Sequence, residues 1–192
     1  MNQTIPYLNE WLELSRSGRF DKAQEIYFEK LFASVIDVFK ASNEHLLSKG
    51  GVLFSILGYS PEPIILTAKT VEPDAHIIFT TNKKNEGADY LEKYLGSDYE
   101  TVYLQEDNFD QIYKALKEQL ILNPTSQIVL DITGGKKSMV ASAAIFGKDY
   151  GCKILYVDFK EYIKDLRKPL PGSEILNIVY DPFKNQPELF QK

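Results

Sequence analysis

From residue 51 onward the chain alternates between two textures. Short apolar runs rich in valine, isoleucine and phenylalanine are each followed by a stretch with helical spacing. "VLFSIL" (52–57) precedes "PEPIILTAKTVE", "AHIIFTT" (75–81) precedes "NEGADYLEKYLG", and "ETVYLQ" (100–105) precedes "FDQIYKALKEQLIL". "QIVLDIT" (127–133) precedes "KSMVASAAIFGKDYG", and "KILYVDF" (153–159) comes after it. Strands separated by helices need crossover connections, so this order specifies a mostly parallel sheet with helices on both faces. The runs are nearly continuous in apolar character, as strands buried on both faces should be. "SEILNIVY" (173–180) reads as one more edge strand, after which the chain trails off without a closing helix.

The first 50 residues have a different texture. Residues 4–48 read as a helical hairpin. Phe20, Ala23, Ile26, Tyr27, Leu31, Val35 and Val38 fall on one face, Gly18 ends the first helix, and Asp21 sits in the opening turn of the second. "KGG" (49–51) is a break. The expected organisation is a helical extension over 1–50, an α/β domain over 51–180 and a tail over 181–192. A chain of 192 residues can hold one such domain and an appendage.

A formal net charge of −5 argues against a broad surface for duplex nucleic acid. It does not oppose a local anion site. Cys152 is the single cysteine, so no intrachain disulfide forms, and its apolar neighbours make it a core residue. The N-terminus lacks the apolar centre of a signal peptide, and no run approaches the ~18 apolar residues of a membrane span. A soluble, cytoplasmic protein is expected.

In a sheet of this kind ligands bind beyond the C-terminal ends of the strands, where strand order reverses. Two of those ends suit an anion. After the fourth strand comes "DITGGKKS" (131–138). Its paired glycines permit a turn whose N–H groups face inward, and the next helix points its N-terminus at the same spot. Lys136 and Lys137 add charge, and Thr133 and Ser138 add hydroxyls. After the first strand, "GYSPEP" (58–63) offers Gly58 for a sharp turn and the Ser60 hydroxyl. A Walker loop is excluded, because Leu130 and Lys137 stand where that motif needs a glycine and a hydroxyl residue. A dinucleotide fingerprint is excluded too, since the first strand is followed by a lone glycine. His45 and His76 have no neighbours at metal-ligand spacing, the acids after the third strand read as a solvated loop, and no serine-hydrolase elbow occurs. Neither metal nor cofactor is expected.

These motifs resemble the CARF domain, the CRISPR-associated Rossmann fold, over residues 51–180. "DITGGKKSM" is similar to that family's D-x-T-G-G-T-K signature at Asp131, Thr133, Gly134, Gly135 and Lys137. It departs from it at Lys136, where a small polar residue is usual. "RKPLPGSEIL" is similar to the segment that closes many such domains. The resemblance implies a Rossmann-like fold and a homodimer that binds cyclic oligoadenylate, the messenger of type III CRISPR antiviral systems. Cyclic tetra-adenylate suits this best, since a two-fold ring can meet two glycine turns and four lysines. It further implies that Gly134, Gly135 and Lys137 hold phosphate. Gly58, Tyr59 and Ser60 would line the first-strand side, and Thr80, Thr81 and Asn82 would contact adenine or ribose. Three roles stay open. The first is a sensor serving an effector domain not seen in these residues. The second is a slow, metal-independent ring nuclease in which Lys137 and Ser60 would act. The third is a transcriptional regulator, which the scarcity of basic residues in the N-terminal helices disfavours.

Overall fold

The computed structural model describes residues 5–81, 87–106, 108–125 and 127–189. The chain divides into two compact units. One comprises the chain up to Leu46 together with Asp158–Ile175; the other comprises Leu47–Val157 together with the chain from Leu176 on. Residues 158–175 thus group with the N-terminal helices, which the expected boundaries did not anticipate.

The first unit contains α1 (Leu8–Arg16), α2 (Phe20–Ile26) and α3 (Phe32–Asn43). Between α2 and α3 the helix widens to a π-turn at Tyr27–Leu31. Of the expected face, Ala23, Leu31 and Val35 are buried, Ile26, Tyr27 and Val38 are half-buried, and Phe20 is exposed. Phe28, Phe32, Ile36 and Phe39 are buried as well, so the buried stripe is broader than the expected face. Tyr27 stacks on Phe32, and Phe28 meets both rings edge-on. Gly18 ends α1 at φ 74° with open space around it. Gly18→Ala therefore isolates backbone strain, and a loss of about 1 kcal/mol is expected in urea unfolding. A two-residue hairpin, β6 (Tyr162–Ile163) with β7 (Lys168–Pro169), completes this unit and escaped the sequence pattern. Its Lys168 ammonium lies over the rings of Trp11 and Phe20.

The second unit is built on six strands: β1 (Val52–Ile56), β2 (Ala75–Thr80), β3 (Glu100–Tyr103), β4 (Ile128–Asp131), β5 (Lys153–Phe159) and β8 (Glu174–Tyr180). Their order is β3-β2-β1-β4-β5-β8, and the four pairings from β3 to β5 are parallel. The helices are α4 (Glu62–Val71), α5 (Ala88–Leu95), α6 (Phe109–Leu122) and α7 (Lys137–Asp149). This is the expected Rossmann-like sheet, with "SEILNIVY" at its edge. Alternate residues separate its faces. Val52, Phe54 and Ile56 of β1 join a core with Ile112 and Leu116 of α6 and Met139, Ala143 and Phe146 of α7. Leu53 and Ser55 point to the other face. Cys152 is fully buried in the α6–α7 core, and burial pushes its thiol up to about 12.

The ends of the elements obey local chemistry. Pro61 opens α4, the Asn108 side chain caps α6 by accepting from the Gln111 N–H, and Gly151 adopts φ 64° just past α7. The tail corrects one expectation: α8 (Pro182–Asn185) and a 3₁₀ turn at Pro187–Leu189 come after the last strand. Asp181 stops the strand there. Its carboxylate caps α8 at the Phe183 N–H and pairs with the Lys153 ammonium at 3.3 Å. Among the described residues no helix is long and apolar enough to cross a membrane.

Candidate functional site

Strand order runs outward from β1 to β2 and β3 in one direction and from β4 to β5 in the other. The reversal lies between β1 and β4, which pair from Val52↔Ile128 to Ser55↔Asp131. The loops leaving these two strands are "GYSPEP" and "DITGGKKS". Sequence singled out both loops, and the topology sets them side by side at the place where such sheets open a crevice.

They touch through backbone. A Cβ on Gly134 would stand 2.3 Å from the Ile56 carbonyl oxygen and 2.8 Å from the Gly58 nitrogen. A Cβ on Gly58 would stand 2.7 Å from the Gly135 nitrogen. Gly134 and Gly58 are thus required by space rather than by dihedral angle. Only Gly135 of the pair has positive φ, at 86°. The turn then enters α7, whose start has no side-chain cap: Lys136 precedes it in extended conformation and Lys137 is its first residue. The N–H groups of that first turn have no partner within the helix. Lys136, Lys137 and Ser138 are exposed around them.

Beneath the turn lies a clamp. The Thr133 N–H and hydroxyl both donate to Asp131 Oδ1, at 2.9 and 2.5 Å. The same hydroxyl accepts from the Val157 N–H of β5 at 2.8 Å. Its only proton is therefore committed inward, and the expectation that Thr133 offers a hydroxyl to an anion gives way to a role in shaping the turn. Asp131 is fully buried. Burial pushes its carboxyl above the usual range, while the Thr133 bonds and the facing Thr67 hydroxyl pull the other way. Thr67 Oγ1 and Asp131 Oδ2 nevertheless form no hydrogen bond of ordinary geometry.

The other expected residues fall into three groups. Tyr59 and Ser60 are exposed, Tyr59 at 90%, and they flank the crossing from the β1 side. Thr81 is half-buried just past β2, whereas the Thr80 side chain is 1% exposed and turned into the protein. Asn82 lies outside the described residues.

Sequence reasoning missed a polar pair in the interior. His76 of β2 and Ser55 of β1 are both buried, and His76 Nε2 lies 3.0 Å from Ser55 Oγ. Burial lowers the imidazole from 6.5 to about 4, so it is neutral at physiological pH. Ser55 is also the register partner of Asp131, which places a polar row under the crossing of the loops. The signal was alternation: Ser55 and His76 interrupt strands that are otherwise apolar.

No protein-family model matches the chain. Among curated proteins it is similar to the CRISPR system endoribonuclease Csm6 of Thermus thermophilus, 28% identical over 131 residues, covering 66% of this chain and 28% of that protein. Among solved structures it is similar to Can2 from Sulfobacillus thermosulfidooxidans in complex with cyclic tetra-adenylate. That match has a TM-score of 0.50 and 19% identity, covering 56% of this chain and 32% of that one. Enterococcus italicus Csm6 bound to cyclic hexa-2′-fluoro-hexa-dAMP matches with a TM-score of 0.45 and 17% identity, covering 62% and 37%. The matched part spans well under half the length of each relative. At 19% identity the likeness to Can2 speaks to the fold alone.

Proposed function

We propose that the chain is a CARF-domain protein of the kind found in type III CRISPR systems and that it senses cyclic oligoadenylate, with cyclic tetra-adenylate as the preferred ring. The observation that carries this reading is the all-glycine crossing of the β1 and β4 loops at the reversal of strand order. It leaves an uncapped helix start and two exposed lysines facing outward. Such a surface offers backbone donors, a helix-end field and full positive charges to phosphate, and no acid among residues 58–60 and 134–138 opposes them. Similarity to Csm6, and to the fold of a protein solved with cyclic tetra-adenylate, supports the choice of ligand.

In this proposal two copies of the chain meet around one ring. Each contributes Gly134, Gly135 and Lys137 to its phosphates, with Lys136 and Ser138 beside them. Gly58, Tyr59 and Ser60 line the β1 side, and Tyr59 presents an exposed ring on which a base can stack. Thr81 reaches adenine or ribose from the end of β2. Asp131 and Thr133 hold the frame.

Titration calorimetry with cyclic tri-, tetra- and hexa-adenylate tests this. The expected result is tight binding of the tetra-adenylate ring, with one ring per two chains. Lys137→Ala is expected to lower affinity about a hundredfold, since each bound ring loses two charge-assisted contacts. Failure to bind any of the three rings sinks the proposal. Chromatography of the ring after prolonged incubation with stoichiometric protein separates sensing from cleavage.

A further inference from the structure

Asp131 ends β4 directly below the glycine turn, and its carboxyl is wholly out of solvent. One oxygen is engaged: Oδ1 accepts twice from Thr133. The other is not, because Oδ2 is buried with no hydrogen-bond partner. Facing it from α4, Thr67 is also fully buried, and its Oγ1 is likewise without a partner. Two buried oxygens in this relation need one proton between them. A carboxylate could accept that proton from the threonine, and a carboxylic acid could supply it.

The surroundings favour the acid. The groups that meet Asp131 are Ser55 from β1, Leu155 from β5, Thr67 from α4 and Thr133 from its own loop. His76 of β2 stands beyond Ser55 and is uncharged at neutral pH. Among the described residues Asp131 takes part in no ion pair, and Lys136 and Lys137 are exposed at the surface. An isolated buried carboxylate with no cation is costly, and a carboxyl so placed takes up a proton instead. There is also a functional reason. A negative charge under an anion cradle would repel the anion, whereas a neutral acid keeps both acceptor bonds to Thr133 and adds a donor toward α4.

We propose that Asp131 is a neutral carboxylic acid in the folded protein, accepting from Thr133 at Oδ1 and donating from Oδ2 to Thr67, and that it is the positioning residue of the glycine cradle. The first half concerns the acid alone; the second rests on the reading of the cradle as a phosphate site. Through this acid the loop after β4 and the helix after the β1 loop are joined by one shared proton.

Infrared spectroscopy of the full chain with isotope-labelled aspartate reads the acid directly. At neutral pH a protonated-carboxyl band is expected, absent in Asp131→Asn and displaced to higher frequency in Thr67→Val, where its acceptor is gone. Asp131→Asn, neutral and nearly isosteric, is expected to keep cyclic tetra-adenylate affinity within about twofold, while Asp131→Ala, which strips Thr133 of its acceptor, weakens it about tenfold or more. No such band in the wild type, or its persistence in Asp131→Asn, overturns the proposal. An Asn variant that binds as poorly as the Ala variant overturns the positioning role. A wild type that shows the band yet binds no ring sinks the ligand reading and leaves the neutral acid standing.

Discussion

Gly134→Ala is expected to cost about 3 kcal/mol of stability and to abolish ring binding, although it adds one methyl group. The methyl carbon would lie 2.3 Å from the Ile56 carbonyl oxygen and 2.8 Å from the Gly58 nitrogen. Both obstacles are backbone, so neither can rotate away. Relief requires β1 and the β4 loop to separate, which breaks the floor of the site. Gly18→Ala provides the contrast, with positive φ but nothing within 4 Å of the added carbon. Urea unfolding of the two variants measures the difference, and calorimetry with the ring reads the site. Wild-type stability and affinity in Gly134→Ala would show that the loops do not cross as described.

The second large effect concerns acid. His76 has an ordinary value of 6.5 and a folded value of about 4. Between those values the unfolded chain binds a proton that the folded chain refuses, so stability falls as pH falls. The full contribution is present above pH 6.5, is lost progressively on acidification and levels off below about pH 4. A gap of this size corresponds to about 3 kcal/mol. Asp131 works in the opposite sense. Its raised carboxyl takes up a proton in the folded state before it does in the unfolded one, so it contributes stability as pH falls through its folded value toward the ordinary carboxylate range. The measurement is therefore a difference: denaturant unfolding across the acid range for the wild type and for His76→Gln, which share the Asp131 contribution. The wild-type curve should fall more steeply below pH 6.5, and parallel curves would refute the assignment.

Much of this architecture was legible in the sequence because the α/β unit obeys local rules. Apolar runs of strand length, Pro61 before α4 and Gly151 after α7 each mark their element through backbone chemistry. What stayed hidden depended on contacts distant in sequence or on irregular helix. The π-turn at Tyr27–Leu31 leaves no compositional mark, and Phe28, Phe32, Ile36 and Phe39 are buried beside the expected Leu31 and Val35. Thr133 looked like a ligand group because its hydroxyl stands beside two glycines. Only the placement of Val157 and Asp131 around it shows where that hydroxyl is committed. A glycine pair after a strand permits positive φ at either position. Gly135 adopts it, whereas the Gly134 position is closed to a side chain by the backbone leaving β1. The buried His76–Ser55 pair could be seen only as a break in apolar alternation, since strand register decides which polar residues face each other.

The floor of the crossing carries no side chains at all. Gly58, Gly134 and Gly135 form it, while Tyr59, Ser60, Lys136, Lys137 and Ser138 hang outward from it into solvent. Substitutions at exposed positions of this kind cost the fold little, whereas any side chain added to the floor costs a great deal. The two tasks proposed for the loop thereby fall to different residues. The frame is fixed by the absence of atoms, and the exposed groups proposed to meet a ligand, Lys136 among them, can be exchanged one at a time without disturbing it.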